Sequence, residues 1–273
     1  MASLTEIFKE ALTYPSYDFK ALLILGIVFV VANISQILES WGIDLGVATI
    51  SILGIISIIL YFIIQGYSIS VLKETIEYSD EIPALNLGKN LVSGIKFLVV
   101  EIIYWIIPII LSFVVFFISG GASATVDLAG VIQNNTNNFT ANVTANSVLA
   151  NIPQEYINSF LSSFSITIII AVILFLIFGL LLEIAMCRFA KYDSIGEALS
   201  IGEVIADIRA IGIGKFIGWY IIYIIIAAIL GIIAGIVTAV PYIGVLVSFI
   251  LVGPFIFLFA SRALGNLYLE ADV

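Results

Sequence analysis

The chain has 273 residues, of which 62% are hydrophobic, a mean hydropathy of +1.22 and a net charge of −9. Soluble globular domains are only about half apolar, so the composition excludes that class and implies an integral membrane protein. With no histidine and one cysteine, Cys187, it also excludes His-based acid–base chemistry, Cys–His and Ser–His nucleophile pairs, the usual zinc sets and an internal disulfide; no enzyme, metal or cofactor is expected.

At the N-terminus, Ser3-Leu-Thr-Glu6 has the form of a helix capping box. Leu4, Ile7, Phe8, Ala11 and Leu12 then recur at helical spacing, giving one apolar face. This helix lies in the membrane interface plane or packs on the bundle; both readings are open. Residues 1–20 carry Glu6, Glu10 and Asp18 and no small-residue cleavage site, so the first apolar run is expected to be a retained span. A crossing helix needs about 20 apolar residues, and six runs qualify: 21–38, 45–65, 93–118, 164–186, 215–239 and 243–261. Pro108 is expected to kink the third. Segment 119–163 reads as an outer Asn/Thr-rich loop, with Asn134, Asn138 and Asn142 in N-x-T sequons that would take N-glycans in a host with the machinery. Asn151 and Gln154 mark the start of a short surface helix over 152–163. Ser194-Ile-Gly-Glu197 repeats the capping box before Ile201, Val204, Ile205 and Ile208, with Glu203 and Asp207 on the polar side. Gly231-x-x-x-Gly235 would let the fifth span pack closely and sit centrally. Cys187 reads as a small apolar interface residue, with palmitoylation as the alternative.

All ten basic residues fall in the segments on one side of these spans. Basic segments resist translocation, so both termini are expected in the cytoplasm. Lys20, Lys96 and Lys215 stand at the foot of each outgoing span, and with Arg188 and Arg262 they read as membrane anchors. Most carboxylates share those segments, which argues against a polybasic surface for nucleic acid or anionic lipid. Lys96–Tyr104 aligns without gaps on Lys215–Tyr223, so the spans read as three parallel-repeat hairpins.

Two carboxylates lie within spans. Glu101 follows Lys96, and Glu183 precedes Arg188, each by about 8 Å of helix. An ionisable group there is costly. Either the two line a polar pathway for a proton, cation or cationic solute, or each snorkels or pairs with a basic neighbour. Trp41, Trp105, Trp219 and several tyrosines fit an aromatic belt.

Tyr14-Pro-Ser-Tyr-Asp18, Gln65-Gly-Tyr67, and Ile82-Pro83 through Gly94-Ile-Lys96 with Tyr104 and Pro108 resemble an uncharacterised prokaryotic, mainly archaeal, family of polytopic membrane proteins, domain of unknown function 4013. The likeness covers most of 10–250. It implies a multi-pass cell-membrane protein and supplies no activity or site residues.

The expectation is therefore an all-α integral membrane bundle. It forms a single six-span domain over 1–273, three hairpins with cytoplasmic amphipathic helices and the 119–163 loop. The lipid bilayer is its partner, nucleic acid is not, and a homo-oligomer or membrane partner is left open. Two functions are carried forward: a small-solute or ion permease or exporter subunit, and a non-transporting scaffold or assembly protein.

Overall fold

A computed structural model describes residues 2–138 and 152–272. Among these, regular structure is entirely helical. Five helices are long and apolar enough to cross a membrane, and a sixth crossing is reached if a bent pair at the N-terminus counts as one. The chain is a multi-pass membrane protein.

Helix α1 (Leu4–Thr13) opens with the expected box: Ser3 Oγ accepts from the Glu6 amide, and Glu6 reaches back to the Ser3 amide. The Ser3 amide and hydroxyl, both donating to the Glu6 carboxylate, hold it below its usual range. Ile7, Phe8 and Ala11 are buried, and Phe8 stacks on Trp219 at 5.7 Å. The amphipathic face thus docks on the bundle. A 3-10 turn, Tyr14–Ser16, leads to α2 (Phe19–Ala32), capped by Asp18 and bent 80° from the preceding pair.

The first expected span, 21–38, is not one helix. It breaks at Asn33, after which α3 (Ile34–Ser40) resumes. The Asn33 side chain donates to the Phe29 carbonyl at 2.8 Å, competing with the backbone ladder. At 1.5 Å per residue α2 alone reaches about 21 Å, less than a hydrocarbon core of about 30 Å.

The remaining long helices are α4 (Val47–Ile76), α5 (Leu87–Ile118), α7 (Gln154–Tyr192) and α10 (Ile213–Thr238). Pro108 sits inside α5, where Ser112 Oγ bonds its carbonyl. Between α5 and α7, α6 (Gly121–Asn138) is helical where a loop was expected. The short helix expected over 152–163 is the first part of α7, not a separate element. Asn151, its expected cap, lies outside the described residues. Helices α8 (Ile195–Leu199) and α9 (Ile201–Ile211) precede α10. After a turn with Tyr242 at φ 63° come α11 (Ile243–Val247), a π-helical turn Ser248–Val252, α12 (Gly253–Tyr268) and a 3-10 turn Leu269–Asp272.

The chain divides into two compact units, 1–101 with 181–273, and 102–180. In the smaller unit, Trp105 stacks on Phe175 at 5.8 Å, and Ser163 Oγ donates to the Ser119 carbonyl at 2.8 Å. In the larger, Tyr14, Leu22, Leu25, Tyr67, Val71 and Leu258 form a core. Tyr14 and Tyr67 each donate a phenolic hydrogen bond outward, to the Glu81 and Pro83 carbonyls at 3.0 and 2.8 Å, and so hold the α4–α5 connector.

Close helix crossing is not where the glycine pattern placed it. Gly231 and Gly235 face open space, and most of α10 beyond Tyr223 is exposed; the fifth span is peripheral. The tight crossing joins α4 and α5. There the Asn90 carbonyl occupies the place of a side chain at Gly66, and the Phe62 carbonyl does so at Gly94. A GxxxG spacing permits approach but does not supply the facing helix.

Candidate functional site

Within the larger unit, α4, α7, α10 and α12 enclose a cavity of about 180 Å³. Its polar lining is Gln65 and Ser68 from α4, Glu183 from α7, Trp219, Tyr220 and Tyr223 from α10, and Ser261 from α12. Phe216, Trp219, Tyr220 and Tyr223 recur at i, i+3, i+4 and i+7, so one face of α10 delivers this aromatic wall.

The hydrogen-bond inventory is uneven. Ser68 and Ser261 hydroxyls bond each other at 2.9 Å, and Ser261 also donates to the Phe257 carbonyl at 3.0 Å. Gln65 Nε2 donates to Glu101 Oε1 at 3.2 Å and to Tyr61 Oη at 3.1 Å. Among the described residues, Glu183 has no hydrogen-bond donor and no ion-pair partner. Trp219 is 2% exposed, yet its Nε1–H has no acceptor. Leaving a buried donor unpaired costs about 1–3 kcal/mol. The ring cannot turn away easily, because Tyr223 stacks on it at 5.1 Å and Phe8 at 5.7 Å. Trp219, in the wall of the cavity, thus carries a buried unpaired donor, and Glu183 lines the same cavity with no hydrogen bond or ion pair among the described residues.

Glu101 is half-buried on α5 and turns to Gln65 rather than to a lysine. A second, open cavity of about 680 Å³ runs beside α2, α4 and α5; it shares Gln65 and Phe257 with the first and is lined further by Asn33, Ser57 and Tyr61. Gln65 therefore links Glu101, the open groove and the Glu183 cavity.

The basic neighbours expected to neutralise these carboxylates are engaged elsewhere. Lys96 pairs with Asp193 at 3.2 Å. Lys215 donates to Glu270 at 2.6 Å and to the Ala2 carbonyl at 2.7 Å, and Glu270 also accepts the Ala2 amide. Lys20 is exposed beside the Asp18 cap. Arg188 and Arg262, expected as membrane anchors, are only 4% and 5% exposed and are internal clasps instead. Arg188 joins α7 to Glu197 at 2.6 Å and Asp207 at 2.9 Å. This takes the Glu197 side chain out of the second capping box, which keeps only its serine half. It also moves Asp207 from the expected polar face into a bonded position, where Tyr268 donates to it at 2.9 Å. Arg262 bonds Glu10, Asp80 and the Ser79 carbonyl and lies 4.7 Å above the Tyr14 ring.

Asn134 is exposed but helical, and Thr136 of its sequon bonds the Ile132 carbonyl at 2.8 Å, so this acceptor is not in the flexible loop expected. The Asn138 side chain and the Asn142 sequon lie outside the described residues. Cys187 is fully buried, as suits a packing residue. Trp219, read from sequence as belt aromatic, is the site residue that reading missed; its shared face with Phe216 and Tyr223 was the available signal.

A family model described as "Protein of unknown function (DUF4013)" matches residues 49–239. That segment includes Gln65, Glu101, Glu183, Trp219 and Tyr223. No curated protein matches the chain. No solved structure matches it either.

Proposed function

The chain belongs to the DUF4013 family, whose description assigns no activity, and from its own site we propose that it is a permease or exporter subunit of the cell membrane. The solute is a small cation, or a cationic molecule, that passes Glu183 and Glu101. One observation carries this reading: Glu183 lines a cavity with Gln65, Ser68 and Ser261 and, among the described residues, has no ion-pair partner. Holding an unpaired carboxylate among apolar helices is expensive, and a passing cation offsets that cost transiently. Gln65, which touches Glu101 and lines both cavities, is the gate-side ligand. The protein itself catalyses no reaction in this reading. Both termini face the cytoplasm, and the helices derive from three parallel hairpins; the burial of Phe97 and Phe216, at corresponding repeat positions, supports the duplication.

A scaffold is the second reading. It draws support from the Arg188 and Arg262 clasps, which tie α1, α8, α9 and the α4–α5 connector to the bundle. Proteoliposomes decide between them. With outward gradients of Na⁺, K⁺, protons or ethylammonium imposed in turn, at least one should dissipate faster than in empty vesicles. Glu183→Gln should slow that flux at least tenfold. Flux equal to empty vesicles for every cation, or an unchanged rate in the glutamine variant, would overturn the permease reading.

A further inference from the structure

A further cavity, of about 350 Å³, lies among α4, the start of α5 and the end of α7, and Glu183 is not in its lining. Lys73, Lys89 and Lys96 line it, with Ser70, Ser93 and Gly88; Asp193 is the only carboxylate in its lining. We propose that this cavity binds a phosphate group, that of an anionic lipid headgroup or of a small soluble phosphate ester.

The sequence mixes acids and bases in these segments, which argued against such a site. The fold separates them. Arg262, Arg188 and Lys215 consume Glu10, Asp80, Glu197, Asp207 and Glu270. Two of the lysines that line the cavity have weak partners: Lys73 meets Glu77 only at 3.8 Å and Lys96 meets Asp193 at 3.2 Å, both pairs solvent-exposed, and exposed ion pairs bind little. Lys89 is exposed and no acceptor contacts its ammonium among the described residues. Ser93 adds a hydroxyl to the lining. Gly88 stands in the first turn of α5, whose unpaired amides and dipole favour an anion. Asn86 already caps the Lys89 amide, so the lysines supply most of the attraction.

Position favours the headgroup source. Lys96 lies in the first turn of the apolar run of α5 (93–118), and Lys73 follows that of α4, so the cavity sits at the edge of the apolar helix surface. A basic pocket there is placed for lipid phosphate.

The purified full chain would be tested in mixed micelles by native mass spectrometry and thermal stabilisation. The probes are phosphatidic acid, phosphatidylcholine and glycerol 3-phosphate. Phosphatidic acid should be retained over phosphatidylcholine. Lys89→Gln, which breaks no side-chain bond among the described residues, should weaken this about fivefold, and the triple change Lys73→Gln, Lys89→Gln, Lys96→Gln on the order of a hundredfold. Binding of glycerol 3-phosphate with the same sensitivity would support the site and name a soluble ester as an occupant; retention of phosphatidic acid alone would support the headgroup. The proposal is overturned if neither phosphate compound binds. It is overturned equally if a Lys9→Gln, Lys20→Gln control outside the cavity loses as much as the triple variant. Neither result bears on cation flux past Glu183.

Discussion

Replacing Arg262 by methionine keeps an unbranched apolar stem and removes the five donors of the guanidinium. Nε bonds Glu10 at 2.8 Å, Nη2 bonds Asp80 at 2.6 Å, and Nη1 serves the Ser79 carbonyl and Thr75 at 3.4 Å. Asp80 is largely exposed and would recover water, so its share is at most about 1 kcal/mol. Glu10 is half-buried and also accepts from Asn266; left without the guanidinium it loses a charge-assisted bond of about 1.5–3 kcal/mol. The stranded Ser79 carbonyl and the lost stacking on Tyr14 add roughly 1 kcal/mol. The expected destabilisation is therefore about 2.5–5 kcal/mol, close to the range for breaking a buried pair. It should lower the unfolding midpoint in detergent by roughly 5–20 °C. Arg262→Lys should recover part of it, because one ammonium can hold one carboxylate but cannot fork between two. Limited proteolysis should then cut near α1 and the 77–86 connector before the bundle opens. A methionine variant within about 0.5 kcal/mol of the parent, with α1 still protected, would refute the clasp.

Gly66→Ala and Gly94→Ala push a methyl into the facing backbone carbonyls and should each cost about 1–3 kcal/mol in detergent unfolding, whereas Gly231→Ala and Gly235→Ala meet open space and should be neutral or stabilising by up to about 1 kcal/mol; equal effects at the two sets would refute the α4–α5 crossing. Glu6 has its carboxyl pKa lowered from 4.5 by the Ser3 amide and hydroxyl, so its capping contribution is fully present above pH 4.5 and is lost as pH falls through the lowered value. Hydrogen exchange in the first turn of α1 should accelerate over that window, and the pH-dependent part should vanish in Glu6→Gln; an unchanged profile in that variant would remove Glu6 as its source. A cysteine at Thr125 should react with an impermeant thiol reagent on intact cells and one at Ser79 should not, with native Cys187 silent because it is buried. The reverse labelling would invert the proposed topology.

Several elements were legible before any fold. The Ser3–Glu6 box and the apolar stripe of α1 are local patterns, and both appear as read. The motif residues carrying the family likeness also meet in space: Tyr14 and Tyr67 bond the Glu81 and Pro83 carbonyls, Gly66 and Gly94 form the α4–α5 crossing, and Gln65 reaches Glu101. Local pattern could not reveal the break at Asn33, because an asparagine near a span end is compatible with several hydrogen bonds and the backbone carbonyl of Phe29 won. Nor could it show that α6 is helical, since a polar, Asn-rich segment lacks the periodicity that marks a buried face.

Membrane insertion, the long helices of five of the six apolar runs and the location of ionisable residues within them follow from composition and run length. The reason is that transfer into hydrocarbon is an additive property of a segment and needs no partner to be specified. Which cations neutralise which carboxylates is a different matter. Arg188, Arg262 and Lys215 look like interfacial anchors in the linear chain, and only the tertiary structure turns them onto Glu197, Asp207, Glu10, Asp80 and Glu270. Ion pairs and cavities depend on side chains brought together from distant segments, so charge counted along the chain could not show that Glu183 has no ion-pair partner among the described residues or that Lys73, Lys89 and Lys96 line one cavity.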